Sequence, residues 1–270
     1  MPELPEVEII RRRIIPCVVG RTVTGVTIRN AAMRRPVSDE LIAKLPGQTV
    51  QAIERRGKYL LFRFAAGSVI LHLGMTGFLQ ALDVPLAPGK HDHLDIILNS
   101  GCYLRFNDYR RFGLIVWTEE DPLTHELLAS LGPEPFSAAF TGAYLYRRSR
   151  GRKVPIRQFV LDQRIVAGIG NIYANEALFV ARIHPERSAG SISRSRYQLL
   201  TKAIRAVLQT AIEQGGTLLD SPSGSEYLEH FRMKLLVYGR AGQSCPKCGA
   251  ALEHGRISRR SYYFCRKCQR

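Results

Sequence analysis

Four cysteines near the end of the chain restrict its fold more than any other feature. They form Cys245-Pro-Lys-Cys248 and Cys265-Arg-Lys-Cys268, with sixteen residues between the pairs. Each pair offers two thiolates from one turn, and the intervening hairpin can fold back to close a tetrahedral four-sulfur site. A redox centre needs only one such pair, and so short a segment has too little core to hold a shape without its metal. The spacing therefore predicts one structural zinc ion held by Cys245, Cys248, Cys265 and Cys268. The other two of the six cysteines, Cys17 and Cys102, read as ordinary buried thiols. A disulfide framework is not expected in a sequence with no export signal.

The hairpin between the pairs carries Arg256, Arg259 and Arg260, then Tyr262, Tyr263 and Phe264. Basic and aromatic residues on a metal-pinned hairpin suit a nucleic-acid contact, although a structural ribbon with a solvated basic rim fits them too. Charge distribution favours the contact. The net charge is +16, and it is uneven: residues 1–135 hold 16 basic and 15 acidic side chains, 136–239 hold 15 and 7, and 240–270 hold 8 and 1. A near-neutral first half joined to a strongly basic second half places most of the electrostatic grip on a polyanion in the second half.

The opposite end offers chemistry. The chain opens Met1-Pro2-Glu3-Leu4-Pro5-Glu6, and removal of Met1 leaves a proline secondary amine beside a carboxylate. An α-amino group titrates at about 7.7 to 8.0, against about 10.4 for a lysine, so a useful fraction is free to attack near neutral pH. Alternatively, Pro5 and Glu6 simply open a helix, since proline fits the first turn and carboxylates favour its positive end.

At 45% hydrophobic content, 270 residues suffice for two domains and a small appendage. No apolar run approaches the length needed to span a bilayer, and the expected location is the cytoplasm, in association with the nucleoid. Residues 5–15 have the spacing of an amphipathic helix, with Arg11, Arg12 and Arg13 outward. From about 22 to 117, short β-branched and aromatic runs follow: 22–28, 59–64, 69–73, 94–98 and 103–106, with turn signals at Ala66-Gly67 and Asn99-Ser100-Gly101. Beyond Gly132-Pro133-Glu134-Pro135 the period becomes helical, over 156–165, 172–179 and 194–214, the last stopped by Gly215-Gly216. The expected organisation is a catalytic antiparallel β-sandwich domain with flanking helices (1–133), a linker (134–150), a helical DNA-binding domain (151–236) and a zinc finger (237–270), an α+β fold. The turn Ala167-Gly168-Ile169-Gly170-Asn171 opens a helix with free backbone amides, an arrangement suited to phosphate or to a plain helix connection.

Seven segments in order resemble the bacterial formamidopyrimidine-DNA glycosylase family across essentially the whole chain. They are the Pro2 to Glu8 opening, Gly57-Lys58, His72-Leu73-Gly74-Met75-Thr76-Gly77, Asn107-Asp108-Tyr109-Arg110-Arg111-Phe112-Gly113, the Gly168 to Glu176 turn, Val237-Tyr238-Gly239-Arg240, and the cysteine pairs. The resemblance implies an N-terminal β-sandwich, a helix-two-turns-helix module and a zinc finger, with DNA held in the cleft between domains. It also implies a bifunctional glycosylase and lyase that excises oxidised purines such as 8-oxoguanine and formamidopyrimidines and then cuts the strand by β,δ-elimination.

Residue by residue, the resemblance makes Pro2 the nucleophile, Glu3 the general acid at the sugar, Lys58 the proton donor for β-elimination and Arg260 the donor for δ-elimination. An arginine is a poor acid, so Arg260 reads physically as a phosphate clamp. Met75, Arg110 and Phe112 match the positions that fill the gap left by an extruded base; sandwich core is the alternative for the two apolar ones. His91, Arg110, Arg152 and Asn171 match DNA contacts. The partner implied is duplex DNA carrying an oxidised base, bound by a monomer. Two departures bear on substrate choice: Arg157 stands where the family commonly has lysine, and Gly216 to Phe231 is short. The alternatives are an endonuclease VIII-type enzyme for oxidised pyrimidines and, in another class, a noncatalytic zinc-ribbon DNA binder.

Overall fold

The structure, a computed structural model, describes residues 2–84, 86–215 and 234–270. Met1, Gly216 and the rest of the short segment to Phe231 lie outside them. The chain divides into two compact units, which among the described residues are 2–130 and, in the second, 131–215 with 234–270.

The first unit begins with α1 (Leu4–Val18), capped reciprocally by Glu3 and Glu6. The Glu3 N–H donates to Glu6 Oε2 at 2.9 Å, which satisfies one of the amides that a helix start leaves open. Val7, Ile10, Ile14 and Val18 recur on one face and lie in the core. Eight strands follow: β1 (Val23–Ile28), then after the short α2 (Glu40–Lys44) β2 (Ala52–Arg56), β3 (Tyr59–Arg63), β4 (Ser68–His72), β5 (Gly77–Leu82), β6 (Asp92–Leu98), β7 (Tyr103–Asp108) and β8 (Leu114–Thr118). They form two antiparallel four-stranded sheets, β1-β6-β7-β5 and β2-β3-β4-β8. Period-two positions meet in one core: Leu60, Phe62, Val69, Leu71 and Ile115 from one sheet, and Leu79, Leu94, Ile96, Leu104 and Phe106 from the other. Each such side chain contributes about 2 kcal/mol of burial.

The expected hairpins at 66–67 and 99–101 are β3-β4 and β6-β7. Strand β2 is missing from the sequence reading because it is a sheet edge bearing Glu54, Arg55 and Arg56, a composition that edges tolerate and that hides the strand pattern.

In the second unit, residues 134–150, read as a linker, hold the helix α3 (Gly142–Ser149), whose N-cap Thr141 accepts the Tyr144 N–H. Arg205, from α6 (Arg194–Glu213), donates to the carbonyls of Pro135, Ser137 and Phe140 at 2.7–2.9 Å and so ties down the stretch before it. Helix α4 (Ile156–Leu161) stops four residues earlier than expected. The Asp162 carboxylate takes the Arg164 N–H at 3.0 Å, a local bond that competes with helix continuation. Helix α5 (Asn171–Val180) follows, and β9 (Glu253–Ile257) and β10 (Arg260–Phe264) form the predicted C-terminal hairpin. The fold is the expected α+β architecture. No described helix is long and apolar enough to cross a membrane.

Candidate active site

In the first unit, Pro2 stands two residues before the start of α1. Glu8 on α1 accepts hydrogen bonds from Arg11 and Arg12, each at 2.8 Å, and from Arg55 of β2 at 3.1 Å. Burial alone would raise its pKa, but the hydrogen bonds from Arg11 and Arg12 and the charges of Arg11 and Arg55 outweigh it and hold the carboxyl at about 2. Arg11 therefore does not point outward with Arg12: it also donates to the Ile53 carbonyl at 3.0 Å and fastens the helix to the sheet. At the head of this fastened helix, Glu3 and Glu6 are buried, as is Lys58 at the start of β3. A buried lysine and buried carboxylates in one sandwich, outside its apolar core, are groups retained for chemistry more readily than for stability.

Near Lys58, His72 of β4 packs its ring 4.7 Å from that of Tyr59. Burial, then the charges of Lys58 and Arg34, push its pKa down to about 4. Its neutral ring accepts the Gly74 N–H at Nδ1, 2.9 Å away. That bond opens the turn bearing Met75. Asp108, fully buried, closes the same turn and pins a second loop. One oxygen accepts the Thr76 hydroxyl at 2.6 Å and the Arg110 N–H at 3.2 Å, and the other accepts the Gly113 N–H at 2.7 Å.

Two loops held by one carboxylate thus present Met75, Arg110 and Phe112 from the same unit. Met75 is 40% exposed and Phe112 42%, which excludes the sandwich core as their environment. The Arg110 guanidinium lies 4.7 Å from the Phe112 ring centroid. His91 sits on the neighbouring surface, its ring 5.4 Å from that of Tyr109. Asp108 and His72 carry this arrangement, yet neither was among the site residues expected from sequence. For Asp108 a signal existed, because an aspartate two residues before Arg110 can accept that residue's N–H in an Asx turn.

In the second unit, the turn before α5 is built around Gln163, which accepts the Gly168 N–H and donates to the Ile169 carbonyl, both at 2.8 Å. Gly170 is the N-cap of α5, and Asn171 is its first residue; the Asn171 side chain makes no cap bond. Its amide instead donates to the Ser261 carbonyl at 3.1 Å and accepts from Arg157. The structure thus brings Asn171 to the strand that begins with Arg260. Arg152 is exposed at a separate place, its guanidinium 5.7 Å from the Phe159 ring centroid.

The four cysteine sulfurs lie within 4.8 Å of one another. Tetrahedral sulfurs about 2.3 Å from a metal would be about 3.8 Å apart, close to the 3.9 Å of Cys245–Cys268 and the 3.5 Å of Cys248–Cys265. The donor set fits one metal ion. Glu176 of α5, buried, accepts the N–H groups of Leu236, Val237 and Tyr238 at 2.8–2.9 Å and anchors the strand of chain that leads to the cluster.

Comparison with known proteins decides the family. Residues 1–115 match the formamidopyrimidine-DNA glycosylase N-terminal domain and residues 131–223 the H2TH domain of the same enzyme. The chain belongs to the formamidopyrimidine-DNA glycosylase family. Among relatives of that name, the protein of Geotalea uraniireducens is 52% identical over the full length of both chains, and that of Stutzerimonas stutzeri 49%. The fold is also that of solved formamidopyrimidine-DNA glycosylases. A Lactococcus lactis mutant in complex with DNA containing Fapy-dG superposes with a TM-score of 0.91 at 33% identity, covering 99% of each chain. The Thermus thermophilus protein gives 0.84 at 38%, covering 99% of this chain and 98% of its own.

Proposed function

We propose that this chain is the bifunctional glycosylase and lyase of its family in base excision repair, with Pro2 as nucleophile and oxidised purines in duplex DNA as substrate. The observation that carries the reading is that Pro2, just ahead of a helix held to the sheet through Glu8, shares one unit with buried Glu3 and Lys58; removal of Met1 would free its amine. Full-length identity to proteins of that name supports the substrate class.

The damaged base must leave the stack before its sugar can be attacked, at a cost of a few kcal/mol. Met75, Arg110 and Phe112 repay it by filling the gap, as exposed thioether, guanidinium and ring on pinned loops are suited to do. The Pro2 nitrogen attacks C1′ as the base departs, Glu3 supplying a proton at the sugar. The resulting iminium acidifies the C2′ hydrogen, whose loss expels the 3′ phosphate with Lys58 as proton donor. A second elimination then expels the 5′ phosphate, with Arg260 holding the charge of the leaving group. His91, Arg152 and Asn171 hold the backbone. The metal is zinc, inferred from four thiolates at tetrahedral spacing; it holds the hairpin that bears Arg260. The working form in this reading is a monomer on the chromosome.

A duplex with 8-oxoguanine opposite cytosine should be cleaved faster than one with dihydrouracil, measured as strand scission under identical conditions. The reverse preference would transfer the chain to the endonuclease VIII type.

A further inference from the structure

We propose that Arg157 is a positioning residue for the second elimination: it fixes the start of β10, and with it Arg260, against α5. The proposal rests on the function proposed above and adds a part to it.

Arg157 is 1% exposed, and among the described residues no carboxylate pairs with it. Burial, and then the charge of Arg260, lower its pKa. Its Nε is buried without a hydrogen-bond partner. A desolvated cation in such a place is a poor contributor to stability, so its value lies in what it holds. Its Nη2 donates to Asn171 Oδ1 and, at 3.1 Å, to the Ser261 carbonyl. The Asn171 amide donates to that same carbonyl, also at 3.1 Å. Two residues further along the strand, the Tyr263 N–H donates to Asn175 Oδ1 at 2.8 Å. The strand is therefore gripped at Ser261 and at Tyr263 by groups from α4 and α5.

The grip supplements a hairpin turn built from residues that its geometry does not favour. The turn residues Ser258 and Arg259 both have positive φ, 50° and 64°, the demand of a tight turn that glycine or asparagine meets at less cost. Arg260 follows at once and is exposed. With Arg157 it lines an open cavity of about 310 Å³, which Gln158, Asp162 and Ser258 also border. The backbone of Arg260 is thus directed by the Ser261 carbonyl, and that carbonyl by Arg157 and Asn171.

The step affected is balanced simply. Water or another base takes the C4′ proton of the unsaturated iminium, the C5′–O bond breaks, and its electron pair leaves with the 5′ phosphate that Arg260 holds. Attack by Pro2 precedes it and uses groups of the other unit. Misplacing Arg260 by a fraction of an ångström should therefore slow the second elimination selectively.

The test compares wild type with Arg157→Met and Arg157→Lys on a duplex containing 8-oxoguanine, reading borohydride-trapped adduct, the ratio of δ- to β-elimination product, and bound zinc. Arg157→Met should lower the product ratio about tenfold or more, with zinc retained and trapping reduced far less. Arg157→Lys, whose single ammonium can donate to both acceptors, should recover most of the ratio. An unchanged ratio in Arg157→Met, or equal losses of trapping and of δ-product, would overturn the role assigned to Arg157. Absence of both adduct and δ-product in the wild type would instead overturn the proposed function.

Discussion

His72 shows how one residue serves the site while remaining neutral. Its Nδ1 must stay unprotonated to accept the Gly74 N–H, and burial with the nearby Lys58 and Arg34 charges keeps it so down to a pH of about 4. The unfolded chain binds the proton near the ordinary value of 6.5. Between these values the unfolded state takes up more protons, so stability falls as pH drops from about 6.5 to about 4. His72→Asn keeps an acceptor and removes the titration; its melting temperature should decline less over that window than that of wild type, in parallel thermal melts. The Glu8 carboxylate acts lower, its contribution being lost between 4.5 and about 2, so it does not obscure the comparison. Gly74 is constrained differently. It sits at φ 69°, and a Cβ there would lie 2.4 Å from the Phe112 carbonyl carbon and the Gly113 nitrogen. Gly74→Ala should cost about 2 kcal/mol or more in urea denaturation, and should slow excision because the loops of Met75 and Phe112 move together.

At the level of elements, the C-terminal hairpin should depend on the metal ion that its four cysteines can hold. The core associated with it is small, comprising Phe179, Val237, Cys245, Leu252 and Cys265, too little to order the segment unaided. Cys245→Ser, or chelation, should release zinc and abolish δ-elimination through loss of Arg260; measured metal content and gel-resolved products check this, and normal cleavage after zinc loss would contradict it. The cysteine spacing made this element readable from sequence, as apolar periodicity did for α1, α6 and the strands β3, β4, β6 and β7. Other elements escaped for physical reasons. Strand β2 carries charges suited to an edge, and α3 lies in a stretch whose glycine, prolines and arginines read as a linker, while its hold comes from distant contacts such as Arg205 with the 135–140 carbonyls. The metal site was legible because paired cysteines carry their own chemistry, and their sulfurs meet as the spacing predicted. Roles that arise from contact across the fold were illegible, as in the two-loop clamp of Asp108 or the Arg157 and Asn171 bonds to a single carbonyl.

For the whole molecule, the charge and the chemistry are divided between the units. Pro2, Glu3, Glu6, Lys58, Met75, Arg110 and Phe112 belong to the near-neutral first unit, and Arg152, Asn171, Arg260 and the cysteine cluster to the basic second. The proposed function accounts for the division: the basic unit would supply attraction to phosphate, and the first unit the reaction at C1′. The most direct measurement is borohydride trapping on a duplex containing 8-oxoguanine, with the trapped residue mapped by mass spectrometry in protein whose terminus has been verified as Pro2 or as Met1. The adduct should form on Pro2 when its amine is free and be absent when Met1 is retained. Efficient trapping by the Met1-bearing protein, or an adduct on a lysine of the Pro2 form, would contradict the N-terminal amine as nucleophile.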